Sequence, residues 1–250
     1  MNKNRKIKRG LTTSLAVGMS VMMGAVPVFA AGTSSDADAV YKEETVYVNA
    51  DATGTSDEVT VSNWLKNSGS VSGSLTDAST LKDIKNVKGD EKYTSDGDKL
   101  TWNTEDKDIY YQGTTDQDLP VSVKLTYYLD GKEIKPADLK GKSGHLKIQV
   151  DYTNKEKKTV SVDGKQEEVY TPFVMMTGMI LPNETFSNVT IDNGKVISDG
   201  SKNIVVGFGM PGMKESLNLD ESKTEDLTIP ESLCVEADVT DFTMSSTFTV

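Results

Sequence analysis

The sequence runs to 250 residues and carries 27 basic and 38 acidic side chains, a formal net charge of −11. The first thirty residues hold five of the bases and no acid, so the rest sets 22 bases against 38 acids, a balance of −16. That charge disfavours a nucleic-acid partner or an anionic membrane surface, which both need a basic face. A single Cys and a single His exclude an internal disulfide framework, a Cys-based zinc site and a multi-His metal centre.

Residues 1–30 read as a signal peptide. Lys3, Arg5, Lys6, Lys8 and Arg9 form a basic head, and an apolar stretch follows from Leu11 to Val26, interrupted by Gly18, Ser20 and Gly24. Pro27 ends it, and Val28 and Ala30 are small enough for the pockets of a signal peptidase, which places cleavage after Ala30. The apolar run is short for a membrane span. The expected location is therefore extracellular or at the cell surface. Residues 31–38 are small, polar and acidic and read as a flexible leader.

From residue 39 onward the chain reads as strands. Residues 39–115 form an expected small β domain with strands near Val46, Val59, Leu100 and Tyr110. The polar run at 113–118 marks the boundary, and residues 116–250 form an expected β-sandwich domain, with a single elongated sheet system as the alternative. Val121, Val123, Leu125, Tyr127 and Leu129 alternate with Ser122, Lys124, Thr126 and Tyr128, the period of a half-buried strand. Asp130-Gly131 then turns the chain back into Lys132–Ile134, and a short helical turn is expected at 135–139 behind Pro136.

Leu146, Ile148, Val150 and Tyr152 form the next alternating set, and Leu233, Val235, Ala237 and Val239 another. Shorter strands are expected at 189–191 and 204–208, and a second helical turn at 182–186. Asp163-Gly164 and Asn193-Gly194 read as hairpin turns, Asp96-Gly97 and Asp199-Gly200 as further turns. Phe242, Met244, Phe248 and Val250 alternate with Thr and Ser, so the last residues read as a strand with one apolar face. The fold class expected is all-β: antiparallel β-sandwich, Ig-like units with short helical turns.

Several motifs fail on their mechanics. Gly207-Phe208-Gly209-Met210-Pro211-Gly212 matches a dinucleotide fingerprint, but the polar stretch after Gly212 is too short for the helix that would meet the pyrophosphate. Gly141-Lys142-Ser143 lacks the earlier glycine of a phosphate loop, since Pro136 stands there. Paired acids such as Asp106 with Asp108 and Asp116 with Asp118 lack the full spacing of a calcium loop. His145 and Cys234 fall on polar strand parities, and no G-x-S-x-G elbow supplies a nucleophile. No catalytic, cofactor-binding or metal-ligating residue is expected, and no cofactor.

The candidate binding surface consists of Trp64, Trp102, Tyr110 and Tyr111, which could make an aromatic platform, and Met210 and Met213 beside the glycine-rich loop. The Met175, Met176 and Met179 run reads as core filling, because Met adapts to irregular gaps, with a flexible apolar binding surface as the alternative.

Glu44-Thr45-Val46-Tyr47-Val48, Asn63-Trp64-Leu65-Lys66-Asn67, the run at 85–91, the run at 108–115, Gly141-Lys142-Ser143-Gly144 and Val205-Val206-Gly207-Phe208-Gly209-Met210-Pro211-Gly212 carry a resemblance. Together they resemble the N-terminal exported region of large cell-envelope proteins of clostridia-like Gram-positive bacteria, related to the phage-infection-protein (Pip/YhgE) group. The resemblance implies a β-rich ectodomain followed by heptad repeats and membrane helices, with no catalytic residues to carry over.

The expectation is a non-enzymatic exported surface module, the front part of a longer membrane-anchored envelope protein, acting in recognition or architecture. Its partners would be an envelope protein or a glycan, with membrane contact only through a missing C-terminal part. A carbohydrate-binding or adhesive domain and a secreted hydrolase are the alternatives.

Overall fold

The computed structural model describes residues 41–67, 73–105, 107–218, 228–243 and 246–250 in full, and the backbone alone of 17–21. Most of the expected signal peptide, the leader, Asp106 and Met244 lie outside the described residues. The fold is all-β and every strand pairing is antiparallel.

The first half holds β1 (Val17–Val21), β2 (Tyr41–Ala50), β3 (Ser56–Lys66), β4 (Ser74–Ala78), β5 (Lys82–Asn86), β6 (Tyr93–Asp96), β7 (Lys99–Asn103) and β8 (Ile109–Thr114). One sheet has the order β1-β2-β3-β8-β5 and a smaller one β4-β7-β6. Leu65, Leu75, Leu100, Trp102, Ile109 and Tyr111 make the core between them. A second strip of Val46, Val48, Val59 and Val61 is covered by Leu81 and Leu119.

The second half begins with β9 (Val121–Leu129), β10 (Lys132–Ile134), α1 (Pro136–Leu139) and β11 (Gly144–Asn154). Asp130 and Gly131 both take positive φ, 49° and 77°, the twist that a two-residue hairpin needs. Leu125 stands opposite Val150 and Tyr127 opposite Ile148, with all four side chains inside. β12 (Lys157–Val162) and β13 (Lys165–Tyr170) form a separate ribbon. β14 (Met175–Pro182), β15 (Phe186–Ile191), β16 (Gly194–Ser198), β17 (Lys202–Gly209), α2 (Met213–Ser216), β18 (Ser232–Val239) and β19 (Thr247–Thr249) follow.

These strands make two sheets, β10-β9-β11-β18-β15 and β16-β17-β14-β19. One core joins their inner faces: Leu125, Ile148, Val150, Leu233 and Val235 come from the first sheet, Met175, Met179, Leu181 and Val205 from the second.

The β2–β3 turn reaches into this core, because Ala50 belongs to it. Past the end of β10, the turn covers the free edge of β9. The Leu125 N–H donates to the Thr53 carbonyl at 2.9 Å, and the Tyr127 hydroxyl to the Ala52 carbonyl at 2.8 Å. Asp51 holds the turn in shape by accepting from the N–H groups of Thr53 and Thr55 at 2.8 and 3.1 Å.

Four local expectations are corrected. Asn193-Gly194 is not a hairpin turn: it carries the chain from β15 in one sheet to β16 in the other. Gly194 is needed there for close approach, since a Cβ would run into the Val206 carbonyl and the Gly207 backbone. Gly207 and Gly209 lie inside β17 rather than in a loop, because a Cβ at Gly207 would meet Leu233 at 2.6 Å and one at Gly209 the Tyr152 ring at 2.7 Å. Residues 183–185 form a turn, not a helical segment.

The chain end is the fourth. Phe242 packs edge-on against Phe186 in the core, but β19 turns its threonines inward and Phe248 outward. Buried hydroxyls explain the inversion. Tyr152 Oη lies 2.6 Å from Thr177 Oγ1, which lies 2.7 Å from Thr249 Oγ1, so Thr249 satisfies a polar chain that an apolar residue would orphan.

Candidate functional site

The structure separates the six candidate surface residues. Tyr110 and Tyr111 are neighbours on β8, so the strand period sends them to opposite faces. Trp102 and Tyr111 are 0% exposed in the first core, with ring centroids 5.2 Å apart. The Tyr111 hydroxyl donates to Asp77, and burial first, then Asp77, pushes its pKa up. Asp77 also receives Lys42 Nζ at 3.1 Å, so this cluster ties β2, β4 and β8 together.

Trp64 and Tyr110 remain on the outer face of β3 and β8 as a directly opposed pair. Their rings stack at 5.4 Å with planes 14° apart. Lys66 Nζ sits 5.3 Å from the Trp64 ring centre and Lys88 Nζ 4.1 Å from that of Tyr110. Trp64 Nε1 donates to Asp108 at 2.9 Å. The pair therefore stands as a self-stacked ladder with lysines over its rings.

Met210 and Met213 are half-buried beside Gly212. The Met210 N–H donates to the Pro230 carbonyl at 2.6 Å and the Gly212 N–H to Glu231 at 2.7 Å. Across α2, Ser216 Oγ accepts the Tyr170 N–H at 2.7 Å and Glu215 pairs with Lys157 at 2.9 Å. This corner anchors the β12–β13 ribbon.

A cleft of about 760 Å³ lies between the β2–β3 turn and the start of β9. Asp57, Glu58, Asp116 and Asp118 line it with Lys124 and Lys155. A second cleft of about 340 Å³ opens on the other side of the 115–120 segment. His145 Nδ1 lies 3.0 Å from Asp238, whose pKa is lowered by hydrogen bonds from Asn188 and then His145. The other ring nitrogen faces Glu236 at 3.8 Å, where a triad would need a hydroxyl or thiol. Cys234 is half-buried, and burial raises the pKa of its thiol. Among the described residues, no three His, Cys, Asp or Glu side chains converge as a metal site.

A different surface stands out. The outer face of β16-β17-β14-β19 is apolar. Met176 is paired with Phe208, Ile180 with Ile204, and Ile204 with Ile197. Phe248 lies over Gly178, where a Cβ would collide with its ring. Ile197 is 57% exposed, Phe208 44%, Met176 41% and Phe248 39%. Ile180, Ile204 and Val206 fill the space between them, half-exposed. The outer face of the facing sheet has the opposite character, with Lys124, His145, Lys147, Asp151, Glu236 and Asp238.

From sequence alone, the methionine run reads as core with an apolar binding surface as its alternative, and is not joined to Phe208 and Phe248 as one face. The readable signal was that 173–181 and 204–208 are apolar at both strand parities, the mark of a strand covered on two sides.

The chain matches no family model, no curated protein and no solved structure.

Proposed function

We propose that this protein is an exported, non-enzymatic surface module that acts by binding through a broad face, in recognition or envelope architecture. The observation that carries the reading is the apolar outer face of β16-β17-β14-β19. In a chain this acidic, such a face raises the risk of aggregation unless a partner covers it. The basic, apolar and small-residue order of residues 1–30 supports export with cleavage after Ala30. Cleavage there removes β1 and leaves β2 as the edge of its sheet. The two-layer half, two sheets over one core, supports an Ig-like display module, and the runs at 44–48, 63–67 and 205–212 support the envelope-protein resemblance.

Fractionation of producing cells tests this reading. The expected result is surface-associated protein that begins at residue 31, and Met176→Lys/Phe208→Lys protein that washes off the envelopes. Intact protein beginning at Met1 in the cytosol, or a double variant retained as firmly as wild type, refutes it.

A further inference from the structure

We infer that the apolar face of β16-β17-β14-β19 is covered by the same face of a second copy of the chain. This rests on the reading of that face as the working surface and names its partner. Three observations select a second copy.

The first is composition. No carboxylate lies among the outward residues of the face, and its cations stand at the margins: Lys195 on edge strand β16, and Lys202 at one end, bound to Asp199 at 2.8 Å. A cover for this surface must be as apolar and as free of acids. The other exposed large apolar side chains of the described residues are scattered over separate elements: Tyr41 and Tyr47 on β2, Val87, Val162 and Leu217. The face itself is the one extended surface here that matches its own chemistry.

The second is area. At roughly 200 Å² for a whole large side chain, Ile197, Phe208, Met176 and Phe248 present about 360 Å². The half-exposed Ile180, Ile204 and Val206 bring this to about 500 Å², toward the upper end for a monomer's largest apolar patch. Two copies together bury about 1,000 Å², the threshold for a specific interface.

The third is shape and charge. The face is a sheet without a loop rising from its centre, and two such sheets pack aligned at about 10 Å with side chains interdigitating. A two-fold axis through the face makes the contact self-complementary and closes the assembly at two. The balance of −16 outside the first thirty residues opposes approach to an anionic bilayer, while the facing sheet keeps its charges in water.

Sedimentation equilibrium of the purified exported protein tests the inference, over roughly 1–100 μM because an interface of this size is expected to bind near micromolar. Wild type is expected to reach twice the chain mass. Phe208→Lys and Met176→Lys should each weaken the dimer at least about tenfold, while Tyr47→Lys on the outer face of β2 leaves it unchanged. Thermal unfolding of each variant checks folding, and Ile197→Lys on the edge strand replaces any variant that fails to fold. A wild-type monomer throughout the range overturns the inference, as does a dimer indifferent to all three face variants. A monomer that binds phosphatidylcholine vesicles through Phe208 also overturns it, in favour of a lipid cover. A monomer whose envelope retention still depends on Met176 and Phe208 refutes the second copy and leaves the proposed function standing.

Discussion

Gly54→Ala tests whether the β2–β3 turn is a structural joint between the two halves. Gly54 sits at φ +90°, and a Cβ would overlap the Val123 carbonyl. Left-handed backbone costs an alanine about 1–2 kcal/mol. The overlap is with backbone, so the turn itself must move. Moving it breaks the bonds from Leu125 N–H and the Tyr127 hydroxyl, each about 1 kcal/mol. The expected loss is therefore about 3–4 kcal/mol in urea unfolding. Gly131→Ala is the control: its φ is +77°, nothing lies within 4 Å of the added Cβ, and it should lose only about 1–2 kcal/mol. Hydrogen exchange at the Leu125 amide should accelerate in Gly54→Ala and not in Gly131→Ala. Equal destabilisation of the two variants with unchanged Leu125 protection would refute the joint.

Ile148→Ala, at the centre of the second core, should cost about 2–5 kcal/mol, and Gln149→Ala on the outer face no more than about 0.5, measured by urea unfolding. Thr177→Val leaves the Tyr152 and Thr249 hydroxyls without their bridge and should cost about 2–3 kcal/mol, whereas a polar chain of no consequence predicts no change. Burial raises the Asp51 pKa, but hydrogen bonds from Thr53, Thr55 and Gly54 outweigh it and hold the group below its ordinary 3.8. Its contribution to stability is therefore full above that value and lost as pH falls through the lower folded value. Asp51→Ala should accordingly reduce stability at neutral pH and flatten the acid limb of the stability profile. An unchanged acid limb would count against the cap.

The strands from Val121 to Asn154 and from Ser232 to Val239 were legible, because one face of each sheet strand meets the core and the other meets charge. Where that contrast vanishes, so does legibility. β14 and β17 are apolar on both faces, so their residues read as core although half of them look outward. The chain end misled for the opposite reason: its threonines point inward to meet Thr177 and Tyr152, contacts set by residues 70 to 100 positions away. Asn193-Gly194 has hairpin chemistry, but which sheet receives the next strand is a tertiary matter. The split of Tyr110 from Tyr111 was available from strand period alone. The Trp64–Tyr110 stack was not, because it depends on the register between β3 and β8.

Oxidation of Met176 on intact producing cells reads the central claim, that the outer face of β16-β17-β14-β19 is covered when the protein is in place. Peroxide converts exposed methionine to sulfoxide, and mass spectrometry locates it. Met176 is 41% exposed in the isolated chain, and Met175 beside it is 2% exposed, a built-in reference. The account predicts fast oxidation of Met176 in dilute purified protein and protection approaching that of Met175 on cells. Equally fast oxidation of Met176 in both settings would contradict it.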